Sequence, residues 1–233
     1  MTWEEFEKKL THIHHPLTLK QKEQFQMYLS LLQEWNEKMN LTAIVDEGEI
    51  LEKHFLDSLA SSSYIDYQDQ SLLDIGSGAG FPGIPLKIMF PDLCVTLLEP
   101  TMKRVTFLEE VIRKLQLKGI VVVNERAEDY AKKARSYYDI VTARAVAHLS
   151  ILMELSSPLM RVGGILVALK GAKANEEMEE AKHASEVLEL HYLTEQLWQL
   201  SSGDIRINLF YKKNKEIPLK YPRPYGQMKK KPL

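Results

Sequence analysis

Apolar residues recur every three or four positions through the first 63 residues, and then the rhythm changes. Trp3, Phe6 and Leu10 share one helical face, with Thr2 and Glu5 placed as a capping box ahead of them. Thr18 and Gln21 form a second box and open a longer helix with Phe25, Tyr28, Leu29, Leu32, Trp35 and Met39 on one side. A third helical segment, about Glu47 to Ser63, carries Ile50, Leu51, Phe55, Leu56 and Leu59. From Ser71 onward, β-rich apolar runs at 71–75, 93–98, 119–124, 138–142 and 164–169 alternate with helical patterns at 83–90, 101–117, 127–136, 148–161 and 173–187. Two further strand-like runs, 189–197 and 205–211, are separated by the short turn SSGD.

Five strand–helix units predict an α/β fold with a parallel sheet covered on both faces. The last pair predicts an antiparallel hairpin at one edge of a mostly parallel, seven-stranded, Rossmann-like sheet. The first strand should lie centrally, with the ligand crevice outside the carboxyl ends of the strands. The chain therefore divides into an N-terminal helical extension (1–68), a body (69–211) and a C-terminal tail (212–233).

Charge sharpens that division. Residues 1–70 hold 6 Lys/Arg against 13 Asp/Glu, whereas residues 212–233 hold 8 against 1. A basic tail suits phosphates, and equally suits a solvated, partly disordered terminus. No apolar run reaches the roughly 18 residues of a membrane span, and MTWEEFEKKL does not resemble a signal peptide. Cys94 is the only cysteine, which excludes an internal disulfide and a cysteine-based metal site and fits a reducing cytoplasm. His12, His14 and His15 read as a solvated linker, so no metal is expected. A monomer is the default expectation.

The candidate chemistry lies in SLLDIGSGAGFPGIPL, Ser71–Leu86, where four glycines fall within eight residues at the end of a strand. A phosphate-cradling P-loop needs Lys-Ser/Thr after the last glycine, and Ile84-Pro85 follows Gly83 instead. Gly78, Gly80 and Gly83 match a dinucleotide fingerprint literally, which leaves an NAD(P)-binding oxidoreductase as an alternative. Asp74 followed by Gly76, Gly78 and Gly80 resembles motif I of class I S-adenosylmethionine-dependent methyltransferases. There the glycines admit the donor's methionine part against the backbone, and Asp74 would meet its ammonium directly or through water. Glu99 ends the second strand, where ribose hydroxyls are held, although a helix N-terminal charge would sit there too. Asn124 to Glu128 follow the third strand; Glu128 suits an adenine neighbour or the start of the next helix.

A longer ordered set of motifs resembles one family. It comprises LLQEWN (Leu31–Asn36), NLTAI (Asn40–Ile44), HFLDS (His54–Ser58), DIGSGAGFPGIPL (Asp74–Leu86), KRVTFL (Lys103–Leu108), RAE (Arg126–Glu128), TARA (Thr142–Ala145), Lys170-Gly171 and YPR (Tyr221–Arg223). Together these are similar to the glucose-inhibited division protein B family, the ribosomal RNA small subunit methyltransferases G. The resemblance implies the class I S-adenosylmethionine-dependent methyltransferase fold and methyl transfer from S-adenosyl-L-methionine. The acceptor implied is N7 of one guanine (guanine 527) of 16S rRNA, presented as rRNA, an assembly intermediate or the small ribosomal subunit. It also implies donor contacts at Gly76, Phe81, Ala127, Glu128 and Arg144. Two departures are Pro100, where a small polar residue is common, and RPYG (Arg223–Gly226), where a lysine often follows the arginine.

The remaining residues fit such chemistry. Pyrimidine C5 methylation needs a cysteine nucleophile, and Cys94 lies within the second strand, where it reads as a small buried hydrophobe. Exocyclic-amine methylation commonly uses an Asn/Asp-Pro-Pro-aromatic loop after the fourth strand; here that place reads ARAVA, Ala143–Ala147. Guanine N7 already has a lone pair and needs no deprotonation, so orientation can carry the rate without a general base. Arg144, at the end of the fourth strand, suits the donor's carboxylate, a phosphate, guanine O6 or a structural salt bridge. Lys170 could meet RNA phosphate. Asn40, His54 and Asp57 would wall the crevice or brace the extension. Lys103 and Arg104, early in a helix where the dipole disfavours cations, suggest an RNA backbone contact, as do Lys220 and Arg223 in the tail.

Overall fold

The computed structural model describes residues 1–233. Its centre is a seven-stranded sheet of order β3-β2-β1-β4-β5-β7-β6. Strands β1 (Ser71–Ile75), β2 (Cys94–Leu98), β3 (Ile120–Val123), β4 (Tyr138–Arg144) and β5 (Met160–Lys170) are parallel. β7 (Ile205–Lys213) runs antiparallel to β5, and β6 (Leu190–Gln199) antiparallel to β7 at the edge. β1 lies between β2 and β4, so the chain reverses its direction across the sheet beside the glycine loop, the usual place for a ligand crevice.

Alternate residues of β1 feed two cores. Leu72 enters the layer shared with the N-terminal helices, whereas Leu73 and Ile75 enter the opposite layer. On the first face lie α1 (Trp3–His12), α2 (Leu19–Met39), α5 (Gly83–Met89) and α6 (Met102–Lys114). Phe6, Phe25, Tyr28 and Phe55 form an aromatic cluster there, all fully buried. Burying each such ring contributes about 1.5–3 kcal/mol. The helical extension thus shares one continuous core with the sheet. Both capping boxes form: Thr2 accepts from Glu5 N–H and Thr18 from Gln21 N–H, each reciprocated by the partner's side chain.

Three elements depart from expectation. The segment from Glu47 to Ser63 is not one helix. It runs as α3 (Glu47–Ile50), a π-helical turn (Leu51–Leu56), α4 (Asp57–Leu59) and a 3-10 turn (Ala60–Ser63). The helix expected at 127–136 stops early, as α7 (Ala127–Tyr130), and the one at 173–187 breaks into α9 (Ala174–Glu180) and α10 (Lys182–Val187). Cys94 is exposed at the amino end of β2 rather than buried, at the far end of the strand from the crevice.

The second face is covered by α8 (Leu149–Ser156), α9, α10 and the tail. That tail is folded, not a loose basic end. Ile217, Tyr221 and Met228 are buried, and it closes with α11 (Tyr225–Lys230). Arg135 donates to the carbonyls of Tyr221 (2.8 Å), Ile217 (2.9 Å) and Pro218 (3.1 Å). No helix is long and apolar enough to cross a membrane.

Candidate active site

The glycine loop turns on backbone that side chains resist. Gly76, Gly78 and Gly80 have φ of 65°, 60° and 99°. A Cβ on Gly76 would meet Val146 Cγ2 at 2.8 Å, and one on Gly80 would meet Ile84 Cδ1 at 2.5 Å. At Gly78 a Cβ would meet little, so there the loop is open to a ligand.

Asp74, expected to meet the donor's ammonium directly or through water, lies beneath the loop and lines neither cavity. It is fully buried, with Oδ2 accepting from Gly83 N–H (3.0 Å) at the start of α5 and Oδ1 from Thr142 Oγ1 (3.3 Å). Burial pushes its carboxyl up to about 7, although the Gly83 N–H favours the charged form. Asp74 therefore fastens the loop from beneath. Glu99 fastens it from the side: Oε2 accepts from Gly78 N–H and Oε1 from Thr101 N–H, each 2.9 Å. Asn124 donates to the Glu99 carbonyl, joining the ends of β2 and β3.

A narrow cleft of about 130 Å³ opens beside this loop. Ile75, Gly76, Leu98, Pro100, Ala127, Glu128, Val146 and Tyr225 are among its walls. It shares Pro100, Glu125 and Arg126 with a shallower depression of about 430 Å³. Apolar walls, left-handed glycines and a carboxylate at the end of β2 fit a nucleoside carrying an amino-acid arm.

Across Val146 lies a second cavity, of about 610 Å³. Its walls include Lys53, His54 and Asp57 of the extension, Arg144 of β4, Lys170 of β5 and Arg206 of β7. The π-helical turn presents Lys53 and His54 to this cavity, and Asp57 follows it; π turns frequently mark functional sites. Arg144 ties the extension to the sheet. It donates to Asp57 Oδ2 (3.0 Å) and the Lys53 carbonyl (3.1 Å) through Nη1, and to His54 Nδ1 (3.2 Å) through Nη2. Its guanidinium carbon stands 4.8 Å over the Phe81 ring, which stacks on His54 at 4.5 Å.

His54 is held neutral. Burial, then the neighbouring Arg144 cation, lowers it to about 3. Since Nδ1 accepts from Arg144, the proton sits on Nε2 and is given to Thr42 Oγ1 at 2.9 Å. Asp57 is raised by burial and held down in turn by Arg144 and Arg206.

The sequence candidates thus separate. Gly76, Ala127 and Glu128 line the small cleft, with Gly78 and Glu99 fixing its rim. His54, Asp57, Arg144 and Lys170 line the large cavity. Phe81 is buried against Tyr28, His54 and Phe55, and Gly80 lies close to Ile84 and the Tyr28 hydroxyl. Asn40 joins neither. It is exposed and ends α2 in a left-handed conformation, while Asn36 and Thr42 make the bonds expected of it. Lys170 is not free for phosphate, because Nζ is held by Glu177 and the Ala147 carbonyl, each at 2.7 Å. Arg223 is likewise consumed: its guanidinium meets both oxygens of buried Glu154, at 2.6–3.1 Å. Arg104 lies 3.8 Å from Glu99, and Lys103 and Lys220 are exposed. Lys53, Thr42, Val146, Arg206 and Tyr225 were not anticipated. The one available signal was a cation near the start of the strand that pairs with the crevice end of β5, at Arg206.

A further cavity of about 1040 Å³, between α1 and β6, is lined by none of these residues.

Solved structures share this architecture. TYW2 of M. jannaschii in complex with AdoMet superposes with a TM-score of 0.56 at 14% identity, over 68% of this chain and 76% of that one. A SAM-dependent methyltransferase of Aquifex aeolicus matches at 0.55 and 14%, over 78% and 98%. At such identities the likeness shows the fold. Sequence relatives say more. A ribosomal RNA small subunit methyltransferase G of Streptococcus equi subsp. zooepidemicus is 47% identical over the whole of both chains. Its counterpart in Bacillus cytotoxicus is 46% identical over 100% of this chain and 99% of its own. The family model GidB, rRNA small subunit methyltransferase G, matches residues 21–200. With its glycine loop, its class I sheet and full-length relatives of one kind, this chain belongs to the GidB family of ribosomal RNA small subunit methyltransferases G.

Proposed function

We propose that this chain transfers a methyl group from S-adenosyl-L-methionine to N7 of one guanine of 16S rRNA, on the small ribosomal subunit or its precursor in the cytoplasm. The observation that carries the mechanism is the pair of cavities meeting at Val146, one built of backbone and apolar walls, the other of charged side chains. Gly76 and Gly78 would admit the methionine arm, Glu99 would take ribose hydroxyls with its remaining lone pairs, and Ala127 and Glu128 would flank the adenine. The donor, when bound, supplies an electrophilic methyl on a sulfonium.

The charged cavity would receive the guanine. Its N7 lone pair lies in the base plane, so the protein's task is alignment of nitrogen, methyl and sulfur. No proton need be removed, in keeping with a His54 whose acceptor nitrogen is already filled by Arg144. Methylation leaves the guanine cationic. Arg144 would oppose that charge if free, but Asp57 pairs with it and offsets it. Arg144 thus shapes the cavity while bracing it.

The test is transfer of labelled methyl to small subunits, or 16S rRNA, lacking the modification, with the modified base mapped. Label at guanine N7 supports the reading; S-adenosylhomocysteine binding with label elsewhere, or none, replaces the acceptor.

A further inference from the structure

Four cationic side chains of Lys and Arg line the large cavity, and three are already spent. Lys53 Nζ lies 2.6 Å from Glu49, Arg144 Nη1 3.0 Å from Asp57, and Lys170 Nζ 2.7 Å from Glu177. His148, also on the wall, lies 3.0 Å from Glu180. Arg206 differs. Its nearest carboxylate oxygen is Asp57 Oδ1, 3.7 Å from Nε, and that carboxylate's close contact belongs to Arg144. Its one hydrogen bond, from Nη1, reaches the carbonyl of the adjacent Ile205 (3.2 Å). The side chain keeps 28% of its surface exposed. A guanidinium with most of its fork unspent, on the wall of a cavity that would receive an RNA base, is suited to bidentate capture of a phosphate.

Its place in the sheet selects among anions. Arg206 is the second residue of β7, which pairs with the crevice end of β5 through Ile207 and Lys170. β7 stands three strand positions from β1, roughly 14 Å at the usual spacing of strands. The donor's carboxylate, carried over the loop that follows β1, would lie on the other side of Val146. A base entering the cavity, by contrast, brings its own sugar-phosphate to the rim.

We propose that Arg206 binds a backbone phosphate of the acceptor RNA and so sets the depth at which the guanine enters. This rests on the RNA methyltransferase reading above. Phosphate contacts position a nucleic acid without reading its sequence, which is the task left once the donor is fixed.

The experiment compares wild type, Arg206→Ala and Arg206→Lys in the full chain. It measures 16S rRNA affinity against salt, KM and kcat for methylation, and S-adenosylhomocysteine affinity. Expected for Arg206→Ala is a KM for RNA raised about tenfold, with kcat changed less than threefold. The log–log salt slope of RNA binding should fall by about 0.7, the share of one phosphate on a single strand. S-adenosylhomocysteine affinity should stay within twofold, and Arg206→Lys should recover more than half of the loss. A raised KM with an unchanged salt slope overturns the proposal in favour of a guanine contact or a structural role. Weakened S-adenosylhomocysteine binding overturns it in favour of the donor's carboxylate, and unchanged RNA binding overturns it outright. A wild-type chain that binds S-adenosylhomocysteine but no RNA overturns the underlying reading and this proposal with it.

Discussion

The two cavities that meet at Val146 are built by different means. The small cleft rests on one contiguous loop whose shape comes from left-handed glycines, pinned by Asp74 below and Glu99 at the side. The large cavity draws Lys53, His54, Asp57, Arg144, Lys170 and Arg206 from four separate stretches of chain, held by ion pairs and an aromatic stack. Backbone geometry makes the first rigid before any ligand arrives. The second depends on the extension staying docked, and Arg144 is its principal tie.

That contrast can be broken most strongly at Arg144. Arg144→Ala strips Asp57, only 3% exposed, of its close partner and unties three bonds at once. Breaking a buried pair this way costs about 3–5 kcal/mol. Urea unfolding should show it, and Asp57→Asn added to Arg144→Ala should cost less than the sum of the two single changes.

On the donor side the corresponding change is Gly80→Ala. A left-handed backbone and clashes with Ile84 and the Tyr28 hydroxyl combine there, for roughly 2–4 kcal/mol. Isothermal titration should find S-adenosylhomocysteine affinity reduced at least tenfold in Gly80→Ala.

Acidity separates the halves by sign. His54 is about 3 when folded and ordinarily near 6.5, so between those values the unfolded chain binds more protons. Its contribution is therefore present above pH 6.5 and lost as pH falls toward 3. Asp74 is raised to about 7, so the folded chain binds more protons between its ordinary 3.8 and 7. Its contribution is lost as pH rises through 7. Relative to His54→Gln, wild type should lose stability on acidification from pH 6.5; relative to Asp74→Asn, it should lose stability on raising the pH from 5 to 8. Denaturant titrations at three pH values check both.

The smallest expected effect is Thr42→Val, which removes the acceptor for the His54 Nε2–H and costs about 1 kcal/mol. A shift in the His54 imidazole resonances, with donor affinity unchanged, would confine the damage to the acceptor side.

The same contrast explains what could be read along the chain. The strands and both capping boxes follow from local sequence pattern, the central position of β1 from the connection rules of doubly wound sheets, and the glycine loop is legible because its residues are neighbours. Arg206 carries no such local signature, since the other Lys and Arg side chains of its cavity stand 36 or more residues away in the sequence. The tail misled because composition showed eight cations, whereas its fold depends on spaced anchors at Ile217, Tyr221 and Met228 and on Glu154, 69 residues before Arg223. Asp74 was placed correctly in its motif yet turned inward, because the N–H that opens α5 needs its oxygen. The π-helical turn has no local signature in a stretch with ordinary helical spacing.

The most direct test of the division of labour is a crystal structure with S-adenosylhomocysteine bound. The account predicts the ligand over Gly76–Gly78, its ribose at Glu99, its adenine beside Ala127 and Glu128, and its sulfur facing Val146. A ligand seated instead in the charged cavity beneath Arg144, or in the groove between α1 and β6, would contradict it.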